Sequence, residues 1–326
     1  MQFENAENWR QLLGMIIKDN RLKQRIIEEL GIQGITLNRW VSGETDPRPQ
    51  NIKHLLNVLP EYRETLGDLL SDEYPGLAIT PPESATEDIP AEFYARVFAA
   101  RANTKGPLRH WSMTNLIIQQ AIGQLDPDRL GMAITVVRCM RSSRHPKIYS
   151  LRETVGYGTP PWVGNLEQKG MFLGAESLAG YSVTALRPIE NNDIRDKHNP
   201  LPAHQVEGEL SAAAHPIMYS GRVAGCMLVS STQLHYFLSQ YRLSLIHQYA
   251  NLLALAFDPE DFYDPSEIEL QMMPSHTIQK EHFANFRNRV TAIMAKGGIT
   301  NAQAEQQVWE ELEEELLRIE ATAKLK

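Results

Sequence analysis

Ser211-Ala212-Ala213-Ala214-His215-Pro216-Ile217, a turn at Tyr219-Ser220-Gly221-Arg222, and Val223-Ala224-Gly225-Cys226-Met227-Leu228-Val229-Ser230-Ser231 form the stretch from which the fold is read. Two apolar runs joined by a glycine-containing turn predict an antiparallel hairpin, with strands over 211–217 and 222–231. Downstream, Tyr241, Leu245, Tyr249, Leu252 and Leu253 recur at helical spacing and predict a long amphipathic helix over 237–257. Upstream, 131–140 is β-branched and bounded by turn residues, which predicts a strand. Its expected partner is 147–152, after a polar loop with Ser142, Ser143 and Pro146. The span holding Gly156, Gly158, Pro160, Pro161, Gly164 and Gly170 reads as irregular, and 181–186 as a further strand. Residues 91–125 read as two amphipathic helices, marked by Phe93, Val97 and Phe98, then by Trp111, Leu116, Ile117, Ala121 and Ile122. Helices, hairpin-linked strands and a closing helix predict an α+β antiparallel sheet in place of βαβ repeats.

The punctuation on either side divides the chain. Residues 71–90 carry four prolines among scattered acids, which disfavour continuous helix or strand and predict a linker. A second break spans 258–275. The expected organisation is a helical domain over 1–72, a linker over 73–91, the α+β domain over 92–258 and a C-terminal helical extension over 259–326. A length of 326 residues fits two or three domains. With 42% apolar and 22% charged residues, the chain has the composition of a folded globular protein. No run approaches the ~20 apolar residues of a membrane span, and the first residues lack a signal-peptide pattern, so a cytoplasmic location is expected. Two cysteines, Cys139 and Cys226, exclude a disulfide framework and a cysteine-rich zinc module. A net charge of −8 argues against nucleic-acid binding by bulk charge, yet leaves room for a local reader.

The first 70 residues show about five short helical patterns. Ile26, Ile27 and Leu30 share one face, Gly31 suits a left-handed cap, and Ile32 plugs the turn. Leu37, Trp40 and Val41 then point inward from a second short helix that Gly43 stops. Ile52, Leu55, Leu56 and Leu59 do the same from a helix over 51–59. Two short helices across a tight glycine turn have helix-turn-helix geometry, in which the second helix enters the major groove. Its outward positions are Gln33, Gly34, Ile35, Thr36, Asn38, Arg39 and Ser42. Asn and Gln can pair with adenine, Arg with guanine, and Ile can touch a thymine methyl. The residues Gly31-Ile32, Thr36-Leu37-Asn38-Arg39-Trp40, Ser42-Gly43 and Leu55-Leu56 resemble the Xre/Cro-type phage-repressor helix-turn-helix family. Lys23 stands where that family usually has Gln, and Val41 where it usually has Glu. Lys23 suits a phosphate better than a base. A helical oligomerisation module is the alternative, and nine basic against twelve acidic residues over 1–79 weigh on its side.

The central segment carries a second resemblance. Phe172-Leu173-Gly174-Ala175-Glu176-Ser177-Leu178-Ala179-Gly180-Tyr181, Arg187-Pro188-Ile189 and the 211–231 hairpin resemble a GAF domain, over roughly 93–257. The resemblance implies a PAS-like sensor or dimerisation fold and leaves the ligand, and whether there is one, open. Tyr157, Trp162 and Met171 are the candidates for an apolar pocket wall, with a loop-anchor role for Trp162 as the alternative. Cys139 and Cys226 lie mid-strand without a neighbouring His, which disfavours bilin attachment. They also lack the spacing of the GAF proteins that reduce free methionine sulfoxide. His145, His198, His204 and His215 lack metal-site spacing. No catalytic residue, metal or named cofactor is expected, and the chain is expected not to be an enzyme.

In the tail, Phe283, Phe286, Val290, Ile293 and Met294 mark one helix over 282–296. Val308, Trp309, Leu312, Leu316 and Ile319 mark another from about 301, opposite Glu310, Glu311, Glu313, Glu314 and Glu315. Leu312, Leu316 and Ile319 are candidate oligomerisation residues, unless the stripe folds back on its own domain. The combined expectation is a cytoplasmic prokaryotic transcription regulator that binds double-stranded operator DNA. It would pair as a homodimer or higher homo-oligomer, with a GAF-like domain that senses a small-molecule effector or dimerises. The alternative is an oligomeric scaffold whose N-terminal unit binds protein.

Overall fold

The computed structural model describes residues 6, 8–59, 62–71, 73, 88–162, 164–166, 170–196, 198, 201, 202 and 206–323. Most of the expected linker, 74–87, lies outside them. The chain divides into two compact units, residues 1–88 with 234–236, and 89–233 with 237–326.

The first unit is all-helical: α1 (Trp9–Ile16), α2 (Asn20–Leu30), α3 (Gly34–Ser42), α4 (Pro49–Val58) and α5 (Arg63–Ser71). Trp9, Leu12, Leu13, Ile26, Leu37, Trp40, Ile52, Leu55, Leu59, Leu66 and Leu70 make one buried cluster, so the unit has a core of its own. Gly31 (φ +61°) and Gly43 (φ +78°) both take the left-handed conformation that ends α2 and α3. Gly43 donates its N–H to the Trp40 carbonyl. Arg10 donates to the same Trp40 carbonyl at 2.6 Å and to Asp46 at 2.5 Å, which ties α1 to the end of α3.

The second unit is α+β. Helices α6 (Ala91–Asn103) and α7 (Gly106–Leu125) precede a curled antiparallel sheet of β1 (Met132–Cys139), β2 (Leu151–Gly158), β3 (Gly164–Asn165), β4 (Phe172–Leu173), β5 (Ile189–Asn191), β6 (Ser211–Tyr219) and β7 (Arg222–Ser231). Six strands run in the order β3-β2-β1-β7-β6-β5, and β4 also pairs with β2. The β6–β7 hairpin forms in the expected place, with Ser211 opposite Ser231, Tyr219 opposite Arg222 and an irregularity at Ile217/Met218. Alternation sorts the side chains. Ile134, Val136, Met227 and Val229 are buried on the face that α7 and α9 (Gln240–Leu253) cover. Ala133, Thr135, Leu228 and Ser230 take the opposite face.

Three elements depart from the sequence reading. The 181–186 segment is helical, part of α8 (Leu178–Ala185), with Ser177 Oγ capping the Gly180 N–H at 2.9 Å. The partner of β1 begins at Leu151, not 147, and runs through Gly156 and Gly158, while Ile148 makes only a bridge to Ile268. The expected 282–296 helix is two, α10 (His276–Phe283) and α11 (Phe286–Ala295). Phe98 and Trp111, read as core-facing, are 57% and 49% exposed.

The tail packs on its own domain. Val308, Leu312 and Leu316 of α12 (Asn301–Ala323) are fully buried in a cluster with Met140, Phe172, Met273 and Val290. Leu312 and Leu316 therefore offer no surface to a partner chain, and Ile319 packs half-buried at the edge of the same cluster. The stripe is covered because Phe172, Phe283 and Phe286 stack around Trp309. The acidic row is not a plain solvent face either. Glu313 is buried and accepts from Ser150 Oγ at 2.5 Å, and Glu310 accepts from Ser143 Oγ at 2.6 Å. Arg144 and Arg289 pair with Glu314 and Glu315.

Candidate functional site

The second unit encloses a cavity of about 770 Å³ over the sheet face that α7 and α9 leave uncovered. Its floor includes Ala133 and Thr135 of β1, Glu153 of β2, Ala212 of β6, and Leu228 and Ser230 of β7. The N-terminal turn of α8 and the 161–162, 206–209 and 274–280 segments wall it. The glycines of β2 create the space. A Cβ on Gly158 would stand 2.8 Å from Trp162 Cβ, and one on Gly156 would stand 3.0 Å from Leu166 Cβ. With both side chains absent, the loop folds down over the sheet. Trp162 is 8% exposed and donates its indole N–H to the Glu207 carbonyl at 3.1 Å.

Two carboxyl groups give the cavity its chemistry. Glu153 accepts the Met171 N–H at 3.1 Å, and Glu209 accepts the Ser230 hydroxyl at 2.5 Å. Burial, against the bond from Met171 and with the help of the nearby Glu209 charge, pushes the Glu153 carboxyl up to about 7. Burial also raises Glu209, against the bond from Ser230. Glu176, a third acid in the wall, is structural: its two oxygens accept the Gly174 and Met273 N–H groups, each at 2.8 Å. Ser177 already caps the first turn of α8 from within the wall.

Of the residues expected at a pocket wall, Trp162 and Met171 line this cavity. Trp162 is also tied to its loop, so the wall and anchor readings coincide. Tyr157 is not a wall residue: it pairs with Ile134 and points to the opposite, helix-covered face. Glu153 and Glu209 escaped the sequence reading because each is a lone acid in no motif. The one available signal was Glu153 two residues after the apolar Leu151 in a strand. Cys139 and Cys226 do not line the cavity. Burial pushes the Cys139 thiol up to about 12 and raises Cys226 as well.

In the first unit, α3 holds out the residues expected of a DNA reader. Gln33, Ile35, Asn38, Arg39 and Ser42 are exposed, Gly34 and Thr36 half-exposed, and Leu37 and Trp40 buried. Lys23 is half-exposed on α2. Arg39 Nε lies 3.6 Å from Glu44 in a solvated pair, which holds the side chain only weakly.

Against known proteins, residues 116–258 match the family described as GAF domain. That match begins within α7 and does not extend to the helix-turn-helix residues. None of the curated proteins matches the chain. The solved structures it resembles include the type II free methionine-R-sulfoxide reductase of Thermoplasma acidophilum, at 17% identity. That alignment covers 48% of this chain and 99% of the other, with a TM-score of 0.34. The GAF domain of an Acinetobacter phosphoenolpyruvate-protein phosphotransferase is similar at 16% identity, over 51% and 90% of the two chains, with a TM-score of 0.33. The free methionine-R-sulfoxide reductase of Neisseria meningitidis follows at 11%, over 45% and 89%, with a TM-score of 0.28. These reductases correct one expectation. Enzymes occur among the proteins this chain resembles, so the reading of the chain as a non-enzyme is withdrawn. Among the described residues no helix is long and apolar enough to cross a membrane. Residues 116–258 are a GAF domain, the kind of sensor and ligand-binding module common in regulators.

Proposed function

We propose that the chain is a DNA-binding transcription regulator whose GAF domain binds a small molecule in the cavity above Glu153. The observation that carries the first half is the outer face of α3. Gln33, Asn38 and Arg39 are exposed donors, while Leu37 and Trp40 fix the helix from below. Lys18, Arg21 and Lys23 supply phosphate-directed charge on and beside α2. Reading a palindromic operator calls for two chains, because a dimer sets two such helices about one DNA turn apart. A ligand regulates this dimer if it binds its two arrangements unequally.

The test is a fluorescence-anisotropy titration on duplexes selected from a random pool by the full chain, repeated at several salt concentrations. Affinity should fall steeply with salt. Asn38→Ala and Arg39→Ala should each weaken specific binding by about 1–3 kcal/mol, the worth of a bidentate base contact. Unchanged affinity in both variants removes α3 as the reader. Ile35, 63% exposed at the centre of this face, supports a second reading in which α3 docks on a protein. Salt-independent retention, or none, would favour that scaffold.

A further inference from the structure

We infer that the GAF cavity takes a small organic cation, an ammonium or guanidinium compound whose charged head is held by Glu153 and Glu209 while its hydrocarbon part lies against Trp162, Leu166 and Leu228. This rests on the sensor reading above and gives it a ligand class.

The cavity, about 770 Å³, is within the size range of small-molecule sites. The charges on its described walls are unequal in kind. Glu176 spends both oxygens on backbone N–H groups, and Glu207 and Lys280 are exposed at the rim. Glu153 and Glu209 are the acids left over the floor, Glu153 oriented by the Met171 N–H and Glu209 by the Ser230 hydroxyl and the Val206 N–H. The arginines of the same strands are committed elsewhere, Arg222 to the Phe262 carbonyl at 3.3 Å. Arg138 reaches Asp261 at 2.7 Å, and Arg152 lies 4.3 Å over the Trp309 ring. Two desolvated carboxyls near each other are costly when both are ionised, and a cation offsets that cost. An anionic ligand would add to the repulsion, and a neutral one would leave it in place. The α8 N-terminus gives an anion little compensation, since the Ser177 hydroxyl already caps it.

The pH dependence follows from the same groups. A cation prefers the ionised acid, so affinity rises with pH as Glu153 loses its proton near 7. The other titratable groups on the described walls are Glu176, Glu207, Glu209, His276 and Lys280. His276, when protonated, acts in the same direction by repelling the ligand at low pH.

The full chain is titrated by calorimetry with n-butylammonium, phenethylammonium and agmatine, and with butyrate, phenylpropionate and n-butanol as matched anions and neutral. The cations should bind saturably, and the anions and the alcohol should not. Glu153→Gln and Glu209→Gln keep the carboxamide shape and should each cost about tenfold in cation affinity, with circular dichroism unchanged. Parent affinity should fall between pH 8 and pH 6, and this fall should flatten in Glu153→Gln. Binding of the butyrate or butanol members as tight as that of the amines overturns the assignment. So does parental affinity in both Gln variants, or no saturable cation binding up to about 10 mM. Should one Gln variant unfold, the other and the pH profile still decide. DNA retention measured on the same samples separates the two readings. Retention without cation binding removes the ligand class alone, and cation binding without retention removes the DNA reader alone.

Discussion

An alanine at position 180 would put its Cβ 2.0 Å from the Gly174 carbonyl oxygen, a backbone atom that cannot step aside. Helix propensity alone predicts the reverse, since alanine in a helix interior is worth roughly 0.5–1 kcal/mol over glycine. Overpacking costs about 1–3 kcal/mol, more than the propensity gain. Gly180→Ala should therefore lower the stability of the GAF domain, read as a lower urea midpoint for the circular dichroism of the full chain; a raised midpoint would contradict the close approach. The two thiols give a second residue-level expectation. Cys139 and Cys226 sit in one apolar cluster, and burial raises both. Iodoacetamide should leave both unmodified in the native chain at pH 8 and label both in denaturant, as peptide mass spectrometry would show. Native-state labelling would mean that the cluster opens. Cysteine was readable at this scale, because both thiols lie in strands rich in apolar residues, where burial is the expectation. Glu153 and Glu209 were not, because what distinguishes them is a cavity assembled from stretches of chain scattered between Ala133 and Lys280.

Among the elements, those defined by their own neighbours in sequence were legible, and those defined by a distant contact were not. The β6–β7 hairpin and the glycine stops of α2 and α3 are local, and they stand where the sequence puts them. Tyr181-Ser182-Val183-Thr184 has the alternation and β-branching of a strand, yet Ser177 caps a helix there and Gly180 lets it rest on Gly174. Gly156 and Gly158 read as loop because their use is to admit Leu166 and Trp162. The α12 helix was found, but its acidic side was read as solvated. Burial, against the bond from Ser150 and with the help of the Glu310 and Glu314 charges, pushes Glu313 up to about 7. The sign is that of a folded pKa above the unfolded one. The native state then holds the proton more tightly, its stabilising contribution is complete below about pH 4.5, and it is lost as pH rises toward 7. Glu313→Gln keeps an acceptor for Ser150 and removes the charge. It should raise the Tm at pH 8 and flatten the decline of Tm between pH 5 and pH 7, as followed by differential scanning fluorimetry. Glu153 titrates over the same window and Glu209 is raised as well, so Glu313→Gln should remove only part of the slope and the double Gln variant more of it. A Glu313→Gln profile parallel to the parent's would remove this acid from the account.

At the scale of the whole molecule, the proposed regulator needs two chains, and the tail is not free to join them. Leu312 and Leu316 are fully buried against Phe172 and Met273, so Leu312→Glu with Leu316→Glu should unseat α12 and destabilise its own domain. A change in oligomeric mass in that variant would be secondary to unfolding. The inner face of α9 is spent in the same way, with Leu245, Tyr249 and Leu253 buried in the GAF domain. On the described surface of the second unit, the α6–α7 pair carries three exposed large apolar side chains. There Phe98 is 57%, Leu108 62% and Trp111 49% exposed. Phe98 and Trp111 stand about equally far from the turn between the two antiparallel helices. Large apolar side chains on one helical pair are costly to leave in water, at about 25 cal/mol per Å². A second copy covering them would bring two chains together without disturbing either core. The expected outcome is that Phe98→Glu with Trp111→Glu halves the mass measured by light scattering, while circular dichroism and Tm stay near the parent's. Operator affinity should drop in the same variant, because a single α3 makes too few contacts alone. A folded variant with unchanged mass would place the pairing surface elsewhere, and a parent that is monomeric at every concentration, yet binds its operator tightly, would remove the need for a pair.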